Sequence, residues 1–130
     1  MACILVVDDE PDVADVVAAV LQRDGFEVET VHSGSAALDR LAAESYDLIV
    51  CDLVMPEVNG VVVYRAVQQR PEPRPLMLFL SGYHDAGGYE EFLREAGVPS
   101  MPKPFYSGAL AGTVRRLLGL DLTPYPRQKG

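Results

Sequence analysis

Two short runs of the chain, Cys3-Ile4-Leu5-Val6-Val7 and Leu48-Ile49-Val50-Cys51, are apolar at every position and stop abruptly at an aspartate. A half-exposed strand alternates apolar with polar residues; unbroken apolar runs of this length read as strands buried on both faces, the kind found in parallel sheets. Such strands need cover on both sides, and helical crossovers between parallel strands supply it. A third run, Leu76-Met77-Leu78-Phe79-Leu80, has the same character and ends in Ser81-Gly82. Open α/β sheets bind ligands at the carboxyl ends of their strands, so the residues that close these runs are the first candidates for chemistry.

The intervening segments supply the crossovers. Pro11 suits the first turn of a helix, and Val13, Val16, Val17, Val20 and Leu21 are spaced as one buried helical face that ends at Asp24-Gly25. Phe26-Glu27-Val28-Glu29-Thr30-Val31 alternates, which predicts a half-exposed edge strand. Ser33 reads as the N-cap of a second helix with Ala37, Leu38, Leu41 and Ala42 on its core side. Asn59-Gly60 predicts a turn, and a third helix from about Val61 to Gln69 is stopped by Pro71, Pro73 and Pro75. Tyr89, Phe92, Leu93 and Ala96 mark a fourth helix closed by Gly97. Gly87-Gly88 weakens its first turn by roughly 1 kcal/mol per glycine, which predicts a mobile loop ahead of it. Val98 to Met101 predicts a last strand, confined to an edge by Pro99 and Pro102, and Leu110, Val114, Leu117 and Leu118 mark a fifth helix. Strand and helix thus alternate five times, which predicts an α/β fold: a doubly wound, five-stranded parallel sheet flanked by five helices.

The chain has 130 residues, which suits one domain over 1–120 followed by a flexible tail or the start of a linker over 121–130. Lys plus Arg number 11 against 19 for Asp plus Glu, a formal charge of −8, which argues against direct nucleic-acid binding and against anionic membrane surfaces. No apolar run approaches the roughly 20 residues of a membrane span, and no basic segment leads a hydrophobic one, so a cytoplasmic location is expected. If their strands are parallel, Cys3 and Cys51 lie about 15 Å apart at ~3.3 Å per residue, too far for a disulfide. With no third Cys or nearby His to complete a ligand set, both read as reduced core residues.

The predicted strand ends carry Asp8 and Asp9, Asp52, Ser81 and Lys103. Converging carboxylates repel one another unless a cation neutralises them, and hard oxygen ligands suit Mg²⁺. A lysine and a hydroxyl beside that cation are what an anionic phosphoryl group requires. Taken singly, each residue has an ordinary explanation as a solvated loop carboxylate or a turn serine. Together, at the ends of four strands, they point to a phosphate site without a Gly-rich loop.

With Val6-Val7-Asp8-Asp9-Glu10-Pro11, Asp52-Leu53-Val54-Met55-Pro56 followed by Asn59-Gly60, Ser81-Gly82 and Lys103-Pro104-Phe105, the chain resembles the receiver domain of two-component response regulators over residues 2–120. The resemblance implies a flavodoxin-like strand order of 2-1-3-4-5. It implies that Asp52 is the phosphoacceptor, taking its phosphoryl group from a phosphohistidine on a partner histidine kinase or phosphotransfer protein. Asp9 and Asp52 would hold Mg²⁺ together with the backbone carbonyl of Val54, and Asp8 would hold a water on the metal. Lys103 would pair with one phosphoryl oxygen and the Ser81 hydroxyl would bond another. Such a domain is a signalling switch with intrinsic self-phosphorylation and dephosphorylation, acting on an output partner or domain that the residues do not name.

One departure stands out: Ser100 occupies the position, three before the lysine, where the family commonly has Tyr or Phe. Tyr83 and His84, just beyond Ser81, are the residues available to substitute for it. Val54 and Tyr83, by the same resemblance, flank the hydrolytic water and offer it no carboxylate, amide or imidazole, so a long-lived phosphorylated state is expected. Two other readings exist. A Mg²⁺-dependent phosphohydrolase would need a substrate cap and a second Asp where Val54 stands, and an interaction module that no longer takes phosphate would not need the complete set Asp8, Asp9, Asp52, Ser81 and Lys103.

Overall fold

In the computed structural model, which describes residues 2–82 and 88–120, strands and helices alternate along the chain. The strands are β1 (Cys3–Val7), β2 (Glu27–Val31), β3 (Leu48–Asp52), β4 (Leu76–Gly82) and β5 (Ser100–Lys103); the helices are α1 (Pro11–Arg23), α2 (Gly34–Ala43), α3 (Gly60–Gln68), α4 (Glu90–Ala96) and α5 (Ser107–Leu117). All pairings are parallel, in the order β2-β1-β3-β4-β5, so the expected fold and strand order are the observed ones.

The period-two alternation of the strands divides the core into two layers. Leu5, Val7, Ile49, Cys51, Met77 and Phe79 face α2 and α3, where Ala37, Leu41, Val63 and Val67 meet them. Ile4, Val6, Leu48, Val50, Leu78 and Leu80 face α1 and α5, where Ala14, Val17, Leu21, Leu110 and Val114 meet them. Because every apolar residue of β1 and β3 is claimed by one layer or the other, these strands cannot slip in register without driving their terminal carboxylates out of line. The alternating stretch at 26–31 is an edge strand, as its pattern predicts.

Several local expectations are corrected. On α1 the buried stripe is Ala14, Val17, Ala18 and Leu21, while Val16 is 54% exposed. Both sets follow helical spacing and share Val17 and Leu21, but the buried face is turned by one position, so that Ala14 and Ala18 lie inward and Val16 outward. On α2, Ser33 does cap the helix, its hydroxyl accepting from Ala36 N at 3.0 Å, but Ala42 is exposed. Asn59-Gly60 is no free turn: Asn59 is the N-cap of α3. The last strand runs from Ser100 to Lys103, two residues later than predicted. Pro99 O accepts from Phe79 N at 3.0 Å, so odd-numbered residues of this segment face β4 and Met101 and Lys103 supply the ladder donors that the prolines lack. The expected position at a sheet edge is observed. The loop residues Tyr83, His84 and Gly87 and the tail 121–130 lie outside the described residues. Among the described residues no helix is long and apolar enough to cross a membrane.

Candidate functional site

Parallel register carries the strand-end residues to one rim. Val7 pairs with Cys51, which sets Asp8 beside Asp52; Asp52 pairs with Leu80, which sets Ser81 one residue further along β4; and Gly82 pairs with Lys103 at the end of β5. Asp8 is 1% exposed, Asp52 4% and Ser81 6%, and these are the buried polar residues among those described. Carboxylate oxygens of Asp8, Asp9 and Asp52 all lie within 4.8 Å of one another. Lys103 Nζ reaches into the same group, 3.4 Å from Asp8 Oδ2, 3.5 Å from Asp52 Oδ2 and 3.7 Å from Glu10 Oε1. Asp8 is steadied by the backbone, its Oδ1 accepting from Glu10 N at 2.9 Å. Val54 stands two residues beyond Asp52, in the segment before α3.

The electrostatics follow from burial and crowding. Loss of water, reinforced by the charge of Asp8, pushes Asp52 up to about 7, against the opposing pull of Lys103. Asp8 is raised for the same first reason, burial, although the Glu10 amide and Lys103 draw it down. Burial alone would lower the Lys103 ammonium, but Asp52 and Asp8 outweigh it and the net direction is upward. One lysine therefore serves a group of carboxylates that outnumber it, and the group lacks positive charge. An all-oxygen donor set of this span suits a hard cation that keeps several waters, and it offers zinc none of the sulfur or imidazole ligands that zinc favours. Cys51, next to this cluster, is fully buried with its thiol donating to Asp52 O at 3.2 Å; burial, then the charges of Asp52 and Asp8, pushes it far above the usual thiol range, so it is no nucleophile. Cys3 and Cys51 are both free, as expected, although Cys3 is only half-buried.

The segment that follows Asp52 is held closely. Leu53 N donates to Leu80 O and Gly60 N to Leu53 O, both at 2.9 Å. A Cβ on Gly60 would stand 2.9 Å from Asp52 O, 2.9 Å from the Phe79 ring and 3.0 Å from Leu53 Cα, so only glycine fits where α3 begins against the end of β3. Asn59 Oδ1 accepts from Val61 N at 3.0 Å and Val62 N at 3.2 Å.

The structure thus brings together Asp8, Asp9, Asp52 and Lys103 by measured distance, and carries Ser81 and Val54 to the same rim by register and chain position. Sequence reading missed two participants. Glu10 joins the Lys103 cluster, a role its place directly after two aspartates could have signalled. Asn59 is a cap rather than a turn residue, which the apolar helical run behind Gly60 could have signalled.

Residues 4–115 match the family described as the response regulator receiver domain. The transcriptional regulatory protein CutR of Streptomyces coelicolor is 38% identical over 124 residues, covering 95% of this chain and 56% of that protein. The transcriptional regulatory protein CpxR of Escherichia coli is 32% identical over 120 residues, covering 88% of this chain and 48% of that protein. The chain therefore spans about half the length of these relatives. The crystal structure of a response regulator receiver protein from Burkholderia phymatum superimposes with a TM-score of 0.81 at 29% identity, covering 93% of this chain and 98% of the other. Sequence and fold agree over nearly the whole described chain, and it belongs to the response regulator receiver domain family of two-component systems.

Proposed function

We propose that this receiver domain is a cytoplasmic, phosphorylation-controlled switch in which Asp52 accepts a phosphoryl group from a phosphohistidine on a histidine kinase or phosphotransfer protein. The observation that carries the reading is the buried Asp52 carboxylate with Lys103 Nζ at 3.5 Å and the oxygens of Asp8 and Asp9 beside it. In the transfer an Asp52 oxygen attacks phosphorus, the new O–P bond replaces the N–P bond, and the electron pair leaves with the imidazole. Little covalent chemistry is asked of the protein; positioning and charge balance are asked. Asp9 and Asp52, with the Val54 carbonyl, would hold Mg²⁺, and Asp8 would hold one of its waters. The chemistry such an ion supplies is neutralisation of the carboxylates and the incoming phosphoryl oxygens. Lys103 would move from its carboxylate partners to a phosphoryl oxygen, and the Ser81 hydroxyl would donate to another. Self-phosphorylation from small phosphoryl donors and slow self-dephosphorylation belong to the same proposal. Output would come from a partner or from a further domain, since a domain whose chain carries a formal charge of −8 is poorly suited to contact nucleic acid itself.

Acetyl phosphate with Mg²⁺ tests the assignment. Intact-mass measurement is expected to show one phosphoryl group, mapped to Asp52, and none in Asp52→Asn. Phosphorylation of Asp52→Asn at the wild-type rate would refute it.

A further inference from the structure

Ser100, where the family's switching ring would stand, is exposed and small. The aromatic side chains are found one layer over. Phe79, the register partner of Ser100, packs with Tyr64 of α3 and Phe92 of α4: ring centroids are 6.4 Å apart for Tyr64–Phe79, 5.4 Å for Tyr64–Phe92 and 5.8 Å for Phe79–Phe92. α4 has no buried residue of its own and is held by this aromatic seat, by Tyr89 and Leu93 packing on the core, and by a polar link. That link leads toward the site: Asn59 Nδ2 donates to Tyr89 Oη at 3.4 Å, and Tyr89 is the residue that precedes the first turn of α4. The other end of the Asn59 amide is fixed by its two bonds to the α3 backbone. There is no slack between Asn59 and Asp52 either, because Gly60 is packed against Asp52 O and bonded to Leu53 O.

We infer that Asn59 and Tyr89 are positioning residues whose hydrogen bond ties α4 to the phosphoacceptor segment and holds the helix in its unphosphorylated place. The inference rests on the proposed phosphorylation of Asp52. A ligand shifts a conformational equilibrium only through contacts that differ between the two states. A displacement of the segment after Asp52 passes through Gly60 to the first turn of α3, and Asn59 moves with it. The bond to Tyr89 is then made in one state and lost in the other. By linkage, deleting a contact made only in the unmodified state tightens binding of whatever favours the modified one. For a half-buried neutral hydrogen bond the change is about two- to fivefold.

Beryllofluoride with Mg²⁺, bound to the full 130-residue chain, is the probe. Tyr89→Phe keeps the ring and removes the hydroxyl. It is expected to bind beryllofluoride about two- to fivefold tighter than wild type. The amides of Glu90–Ala96 should exchange faster in its free form and change less on binding. Asn59→Ser, which keeps the cap but is too short to reach Tyr89, is expected to behave like Tyr89→Phe. Asn59→Asp, which keeps the cap and an acceptor for the tyrosine hydroxyl, is expected to restore wild-type exchange in α4. Lost packing would weaken binding or leave it alone, so tightening separates positioning from a structural role. If wild type takes up beryllofluoride and Tyr89→Phe binds it no more tightly, this inference is overturned while the role of Asp52 stands. If wild type takes up none, the reading of Asp52 fails and this inference with it.

Discussion

Two ionic clusters of the molecule are assembled from similar groups with opposite results. On the β2 flank, Arg40 donates to both oxygens of Glu29, at 2.9 and 3.3 Å, and to the Tyr46 hydroxyl at 3.3 Å, while Tyr46 donates to Glu29. There the cation is hydrogen-bonded to Glu29, while a second carboxylate, Glu44, stands off at 4.0 Å. The Tyr46 bond, helped by Arg40 and opposed by burial, holds the Glu29 carboxyl below its usual range, and burial with the neighbouring Glu29 pushes Tyr46 up to about 12. At the rim, by contrast, Lys103 lies near Asp8, Glu10 and Asp52 at once, and both aspartates are pushed up. The flank cluster is complete as it stands. The rim is short of positive charge, and a site with that deficit is the one built to be changed by what binds.

The largest test of this contrast is Mg²⁺ itself. An ion that binds only the folded rim stabilises it by mass action, about 2.7 kcal/mol at a hundredfold its Kd. Asp8→Asn keeps the acceptor for Glu10 N but removes a charge. Without metal it should melt above wild type by roughly 1 kcal/mol, a few degrees, and it should lose most of the response to Mg²⁺. Thermal melts with and without the ion decide; an Asp8→Asn protein no more stable than wild type without metal and equally responsive to Mg²⁺ would abolish the contrast.

Titration sharpens it next. A carboxyl whose folded pKa is raised binds its proton more tightly folded than unfolded. Its stabilising contribution is therefore full below the ordinary carboxylate range and is lost as pH rises toward the folded value, about 7 for Asp52. Metal-free wild type should accordingly melt several degrees lower at pH 7.5 than at pH 5, and Asp52→Asn should flatten that slope. A slope identical in the variant would place its origin elsewhere. The smallest effect is expected at the flank. Arg40→Gln removes a pair whose side chains are 35% and 44% exposed, so the cost should stay under about 1 kcal/mol and should be the same with or without Mg²⁺.

How much of this was legible beforehand varies with what each residue is asked to do. The span of β1 and the run leading to Asp52 could be read closely because burial on both faces leaves no freedom in their composition. The strand-end residues could be read as a set because parallel topology alone brings them to one rim. Val16 was misread because a valine on a helix looks the same whether it faces core or water, and the neighbouring alanines give no hydrophobic signal of their own. The start of β5 was misread because its prolines obscure which residues donate to the ladder. The Asn59–Tyr89 contact was beyond reach, since it joins residues 30 apart through side chains whose types each have commoner uses.

The placement of Pro102 has a further consequence, for how the protein behaves at high concentration. Since the odd-numbered residues of β5 turn toward β4, the nitrogen of Pro102 faces away from the sheet, at the position where an incoming strand would look for a donor. A strand from another molecule that approached this side would find a gap in the ladder within four residues. The opposite margin carries the exposed Glu27 on β2, so a strand that docked there would have to pack against a charged side chain. The sheet that aligns the rim is thus protected at both margins from growing into an aggregate.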